Sequence, residues 1–253
     1  HSLVAEIMAQ AGFDWIVLDM EHGSLDWPQA IQQMQAIQTT PCVPLCRLPV
    51  NELVYYKWAL DAGAYGIIAP MVNSADEARR AVASAKYPPL GTRGVGVCRA
   101  HRHGAGFDQY LASANDETLV VLQIEHIDGV NNADEILSVP GVDACFIGPN
   151  DLAASMGLGL GVSLETDIPE VVDAIAKIRE ACVRNGVAPG IHTSGAEALN
   201  GRIEEGFQFC AMASELRYLV GGLSSDLGKL NWSPSERSSR TGSGAEAGTV
   251  VRY

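Results

Sequence analysis

Seven short apolar runs, separated by helical patterns, limit what this chain can become. They are Trp15-Ile16-Val17-Leu18, Val43-Pro44-Leu45-Cys46, Gly66-Ile67-Ile68-Ala69, Leu119-Val120-Val121-Leu122, Ala144-Cys145-Phe146-Ile147, Ala188-Pro189-Gly190-Ile191 and the run from Phe207 to Met212. Each has the length and the β-branched or aromatic flavour of a buried parallel strand. Amphipathic stretches lie between them: Trp27 to Ile37, Glu52 to Ala62, Ala75 to Ala85, Asn131 to Leu137, Ile168 to Asn185 and Gly195 to Glu205. Strands alternating with helices predict an α/β fold with a parallel sheet. Gly12, Gly63 and Gly206 each follow a helical pattern and precede a strand, where a left-handed residue ends the helix. Seven strands fall one short of a (β/α)8 barrel, and the helix from Ser2 to Ala11 has none before it, so a further strand is expected upstream of His1. No G-x-G-x-x-G follows any run, which weakens the competing reading, a doubly wound dinucleotide-binding sheet.

The 253 residues suit one such domain, expected over residues 1–232, with a low-complexity and disordered tail over 233–253. One connection, Lys86 to Glu117, is long enough to carry function or form a lid. The formal charge of −13 repels phosphate backbones and anionic lipid, so neither nucleic acid nor membrane is an expected partner. No apolar stretch reaches the ~18 residues a spanning helix needs. The six cysteines form no C-x-x-C pair and read as reduced core residues of a cytoplasmic protein.

In a parallel barrel the strand C-termini converge on one mouth, where the chemistry sits. Here Asp19-Met20-Glu21-His22 follows the first run, Arg47 the second and Pro70-Met71-Val72 the third. Gln123-Ile124-Glu125-His126 follows the fourth, Gly148-Pro149-Asn150-Asp151 the fifth, His192-Thr193-Ser194 the sixth and Ala213-Ser214-Glu215 the seventh. Glu125 and Asp151 lie 26 residues apart, one βα unit, and so come from adjacent strands. Two close carboxylates repel unless a cation sits between them, and a hard divalent ion suits them. The alternative is that each caps a helix, Asp151 one starting near Leu152 and Glu125 one near Asp128. Asp19, three residues before His22, can fix the imidazole tautomer and leave the other nitrogen free as a base, or can simply cap a helix. Arg47, directly after a buried run, needs an anion: a substrate oxygen, or a structural pair with Glu21 or Asp19. His101, His103 and His126 make only a weak zinc pattern, and His192 either lines the mouth or supports it from behind.

Taken together these segments resemble the HpcH/HpaI aldolase family of metal-dependent 2-oxo-acid aldolases, which includes 4-hydroxy-2-oxoheptanedioate and 2-dehydro-3-deoxy-sugar-acid aldolases and macrophomate synthase. The likeness is carried by Ala11-Gly12-Phe13-Asp14-Trp15, Asp19 to His22, Pro70-Met71-Val72, Ala75-Asp76-Glu77-Ala78-Arg79, the stretch Tyr87 to Gly96, Gln123-Ile124-Glu125, Gly141-Val142-Asp143 and Phe146 to Leu152. It implies a TIM (β/α)8 barrel of the phosphoenolpyruvate/pyruvate type. It implies that Glu125 and Asp151 bind Mg2+ (or Mn2+ or Co2+) and that His22, oriented by Asp19, is the catalytic base. It implies that Arg47 meets the substrate oxo group and steadies the enolate. Gln123 would line the pyruvate site, and the turn Gly148-Pro149-Asn150 would hold the pyruvate carboxylate through backbone amides. Homo-oligomers built by the last helix are implied as well.

The implied reaction is reversible cleavage of a 4-hydroxy-2-oxo acid to pyruvate and an aldehyde through a metal-stabilised enolate. A Schiff-base aldolase would need a lysine at a strand end, whereas Lys57, Lys86, Lys177 and Lys229 lie in or beside helical stretches. The competitors are an oxaloacetate decarboxylase or macrophomate-synthase-like enzyme, a CoA-ester lyase, which the scarcity of basic residues disfavours, and a non-catalytic oligomerising subunit. Asn150 and His192-Thr193-Ser194 depart from the family pattern at positions that bear on the aldehyde.

Overall fold

The computed structural model describes residues 1–231. The tail expected over 233–253 lies outside them. The chain divides into two compact units, residues 1–212 and residues 213–253. Seven strands occur among the described residues: β1 (Trp15–Asp19), β2 (Val43–Arg47), β3 (Gly66–Ala69), β4 (Leu119–Ile124), β5 (Ala144–Ile147), β6 (Ala188–Thr193) and β7 (Phe209–Met212). The α-helices are α1 (Ser2–Gln10), α2 (Trp27–Ile37), α3 (Leu53–Ala62), α4 (Ala75–Ala85), α5 (Phe107–Glu117), α6 (Ile127–Asn131), α7 (Ala133–Leu137), α8 (Pro149–Ser155), α9 (Pro169–Asn185), α10 (Ala196–Glu204) and, in the second unit, α11 (Glu215–Gly228).

Local chemistry sets the helix limits. Asp26 and Gln29 form a reciprocal capping box at the start of α2, with bonds of 2.8 and 3.2 Å. Ser74 caps α4. Gly63 ends α3 at φ 105° and Gly206 precedes β7 at φ 95°, as the sequence predicts.

All neighbouring strands pair in parallel, in chain order from β1 to β7. This is the wall of a TIM-like barrel. Its two faces bury different sets of residues, in the two-residue period of a strand. Leu18, Cys46, Ile67, Leu122, Ile124, Cys145, Ile147 and Ile191 pack outward with the helices in the larger core. Trp15, Val17, Leu45, Ile68, Val121, Phe146, Phe209 and Ala211 point the other way and fill the interior. The sheet curls enough that Trp15 of β1 and Phe209 of β7 stack across that interior, ring centroids 4.3 Å apart.

The long connection is strapped to the helical layer. Arg93 is fully buried, 4.5 Å from the centre of the Tyr87 ring. Its guanidinium donates to Asp61 of α3 at 2.8 Å and to the Tyr110 hydroxyl of α5 at 3.1 Å. His101, also buried, accepts the Gly104 amide at Nδ1, 3.0 Å away, and donates from Nε2 to the Gly96 carbonyl at 2.8 Å, and so folds the loop on itself.

Removing a buried partner of an ion pair is costly, here moderated because Asp61 keeps some water contact. Arg93→Ala is therefore expected to lower stability by about 2–3 kcal/mol, read from urea unfolding midpoints. A change near zero would show that the strap does not hold the connection.

Candidate active site

Strand parity decides which side chains reach the mouth. Asp19 and Arg47 are register partners and both fall on the interior face. Arg47 Nε donates to Asp19 Oδ1 at 2.9 Å and Nη2 to Oδ2 at 2.5 Å, a two-pronged contact. Glu21 Oε2 lies 3.2 Å from Arg47 Nη1 but out of hydrogen-bond alignment, so the two form an ion pair. Burial alone would raise the Asp19 pKa; the bonds and charge of Arg47 outweigh it and hold the carboxyl below its ordinary value. Glu21 moves the other way, raised by burial that Arg47 only partly offsets, with Asp19 and Asp151 adding repulsion.

This arrangement corrects the expected Asp19–His22 dyad. Asp19 Oδ1 accepts the main-chain N–H of Glu21 at 3.1 Å and of His22 at 3.2 Å, and both oxygens face Arg47. No contact to the His22 ring remains for it. The imidazole Nε2 stands 3.8 Å from Glu21 Oε2 with its side chain 66% exposed. The physical reason is register: a guanidinium directly opposite a carboxylate takes both oxygens. Glu21 is thus the neighbour of both Arg47 and His22, a position the sequence reading weighed only as a structural pairing.

Gln123 is the last interior-facing residue of β4, and Glu125 follows the strand. Both are buried. The Gln123 amide donates to Glu125 Oε2, and the Met71 N–H donates to Oε1 at 3.1 Å. Met71 adopts φ 53°, unusual for a side-chain-bearing residue, in the turn after β3 that aims this amide. Glu125 is pushed up to about 7, first by burial, then by repulsion from Glu21 and Asp151 that the bonds from Gln123 and Met71 do not cancel. Arg47 feels Glu125 in turn. Thus Asp19, Glu21, Arg47, Glu125 and Asp151 form one electrostatic group.

The helix-capping alternatives for the two acids do not hold. α8 begins at Pro149 with Gly148 as its N-terminal cap, and Asp151 lies inside its first turn. At α6 the cap is His126, whose Nδ1 accepts from the Asp128 amide at 3.2 Å. Neither Glu125 nor Asp151 is the capping residue of a helix. Gly148 has a steric role: a Cβ there would lie 2.7 Å from Glu125 Oε2 and 3.2 Å from its Cβ. Gln123 Oε1 and Asn150 Oδ1 are buried and lack a hydrogen-bond partner. Buried acceptors left without a donor are costly, and that of Gln123 belongs to the amide that holds Glu125.

Known proteins share this chain's sequence and fold. The HpcH/HpaI aldolase/citrate lyase family profile matches residues 1–221. The chain is 39% identical over 218 residues to 2-dehydro-3,6-dideoxy-6-sulfogluconate aldolase of Pseudomonas putida, covering 85% of this chain and 83% of that one. It is 40% identical over 223 residues to 4-hydroxy-2-oxo-heptane-1,7-dioate aldolase of Klebsiella pneumoniae, covering 87% and 82%. Among solved structures, an HpcH/HpaI aldolase/citrate lyase family protein from Burkholderia cenocepacia superposes with a TM-score of 0.85 at 35% identity, over 90% of each chain. Macrophomate synthase superposes with a TM-score of 0.80 at 26% identity, over 96% of this chain and 83% of that one. The chain belongs to the HpcH/HpaI aldolase/citrate lyase family.

Proposed function

We propose that this carbon–carbon lyase is a divalent-metal-dependent aldolase that cleaves a 4-hydroxy-2-oxo acid to pyruvate and an aldehyde. The observation that carries the reading is the buried Glu125, held by the Gln123 amide and the Met71 N–H within one electrostatic group with Asp151, Glu21 and Arg47. Its relatives' names, 2-oxo-acid aldolases at about 40% identity, support the substrate class.

The residues fit a hard cation. Glu125 and Asp151 supply oxygen donors and an excess of negative charge. Among the described residues no group of three or more His, Cys, Asp or Glu is placed to hold a metal. Two protein carboxylates would therefore leave other positions to water and substrate oxygens, the habit of Mg2+ and its neighbours Mn2+ and Co2+. A bound cation would supply Lewis acidity for the charge that gathers on the substrate's C2 oxygen.

The chain's own groups account for the remaining steps. Backbone amides of Gly148, Asn150 and Asp151, at the start of α8, bind the C1 carboxylate, and Pro149 fixes the turn without donating. Gln123 borders the head group. Arg47, aimed by Asp19 and Glu21, places its remaining N–H groups toward the C2 oxygen. His22 accepts the C4 hydroxyl proton, steadied as imidazolium by Glu21. The C3–C4 bond then breaks, its electron pair passes to C3 and the C2 oxygen, and C4 leaves as the aldehyde. A proton added at C3 completes pyruvate. Loss of carbon dioxide from oxaloacetate would pass through the same enolate, so that decarboxylation is the expected side activity.

We also propose a homo-oligomer. α11 exposes Leu216, Leu219, Val220 and Leu223 along one stripe, at spacing suited to a partner surface. A cytoplasmic setting is supported by six free cysteines, four of them buried. No described helix is long and apolar enough to cross a membrane.

Pyruvate release from 4-hydroxy-2-oxo acids, followed with lactate dehydrogenase, tests the reading. EDTA is expected to abolish it, Mg2+, Mn2+ or Co2+ to restore it, and Glu125→Ala or Asp151→Ala to lower it at least about a hundredfold. Turnover that survives chelation would sink the metal-dependent mechanism.

A second expectation concerns pH. The raised Glu125 pKa means the folded state holds a proton that the unfolded state has released between pH 4.5 and about 7. In EDTA, stability should fall as pH rises through this window, by roughly 3 kcal/mol. Added Mg2+ should recover more at pH 8 than at pH 5, and Glu125→Gln should flatten the slope. Thermal melts at these pH values decide it; an unchanged slope in the glutamine variant would assign the effect elsewhere.

A further inference from the structure

The two groups that hold Glu125 are themselves held in different ways. Gln123 belongs to β4 and is fixed by ladder pairing with β5. Met71 lies in the turn between β3 and α4 and offers a main-chain N–H from a left-handed backbone, φ 53°. Its side chain is 45% exposed, so packing does little to hold that conformation. A residue with a Cβ stays in this region only where its surroundings over-determine it. Other groups must therefore fix the turn.

Three hydrogen bonds do so. The Val72 N–H donates to the Gln123 carbonyl at 3.0 Å. The Asn73 N–H donates to Glu77 Oε2 at 2.7 Å, and Asn132 Nδ2 donates to the Asn73 carbonyl at 2.8 Å. The last two come from half-buried side chains that forgo an ordinary local role. Glu77 is the third residue of α4, whose cap is Ser74; in a reciprocal capping box its carboxylate would accept the Ser74 amide, yet it accepts that of Asn73. Asn132 directly precedes α7, where asparagine commonly caps, but its side chain makes no cap bond and reaches back 59 residues to the turn. Gly129 of α6 gives the turn its seat. A Cβ there would lie 2.9 Å from the Val72 carbonyl oxygen and 3.0 Å from both Asn73 Oδ1 and Ile124 Cγ2.

Resting on the metal-dependent reading above, we propose that Glu77 and Asn132 are positioning residues: by gripping Asn73 at its N–H and its carbonyl, they keep the Met71 N–H on Glu125 Oε1 and so preset the carboxylate that receives the divalent cation. Without either grip, Met71 is free to leave its left-handed conformation, and its N–H turns away from Glu125. The carboxylate then keeps Gln123 alone and must be ordered by the cation itself, at the expense of affinity.

The test measures Mn2+ binding to the full chain by EPR of the free ion, with no substrate present. Glu77→Leu and Asn132→Leu are each expected to weaken it by about tenfold or more. Glu77→Gln loses the same charge as the leucine variant but keeps an oxygen for the Asn73 amide, so its affinity should stay close to that of the wild type. Arg93→Ala, which lowers stability through the helical layer, should bind Mn2+ as the wild type does. Exchange of the Met71 amide proton, followed by NMR of the metal-free chain, should speed up in both leucine variants and not in Glu77→Gln. If a leucine variant does not fold, Gly129→Ala, which presses on the same turn from α6, takes its place and should weaken binding as well. Unchanged or tighter binding in the leucine variants, or an equal loss in Glu77→Gln or Arg93→Ala, overturns the positioning role. A wild type that binds no Mn2+, while Met71 exchange still responds, overturns instead the metal-dependent reading.

Discussion

Arg47 can sit at the end of a buried strand only because parallel pairing sets Asp19 opposite it. A guanidinium drawn out of water is costly unless fixed anions meet it. Here one carboxylate meets it through two bonds and Glu21 stands by as a second. The arrangement depends on strand parity: a slip of one residue in β2 would send Arg47 into the helical layer and turn Cys46 inward. The same two-residue period delivers Gln123 and His192 to the interior and keeps Ile124 and Ile191 outside it. Packing of the apolar positions thus fixes the polar ones, because one register must satisfy both faces.

The electrostatics follow from that crowding. The half-buried Asp19 is lowered and the fully buried Glu125 raised. The difference is the partner. Asp19 faces a cation directly, whereas Glu125 faces an amide, a main-chain N–H and two other acids. A fold free of functional demands would replace such a carboxylate with an apolar or amide side chain, since a buried acid among acids weakens the folded state. Its presence in the mouth, beside the unsatisfied oxygen of Gln123, is the kind of local cost that clusters at functional sites.

Much of this was legible in the sequence. The apolar runs locate all seven strands, and α2 and α4 fall on the stretches read for them. β4 runs on through Gln123 and Ile124, past the end of its apolar run, because ladder pairing with β5 continues there. What the sequence hides is which partner each polar atom chooses. An aspartate at a strand end has several available donors, and only the register shows that Arg47 is nearer than the His22 ring. The same applies to Glu125 and Asp151, whose capping alternatives fall only once His126 and Gly148 are seen at the helix starts. Glu21 lacked a spacing signal, and Met71 enters through a backbone amide whose direction no side-chain pattern encodes.

Gly148 ties these observations together. A methyl group there would collide with the Glu125 carboxylate. The same Cβ would come within 3.4 Å of the Gln123 amide nitrogen that donates to that carboxylate. One absent carbon therefore serves two groups, a carboxylate held close to β5 and the amide that fixes it. Restoring the carbon would press on both at once, so neither can vary independently at this position. The polar groups of the mouth accordingly follow β1, β2, β4 and β5, with Asp151 in the first turn of α8, and among the described residues β5 to β7 turn one polar side chain, His192, to the interior.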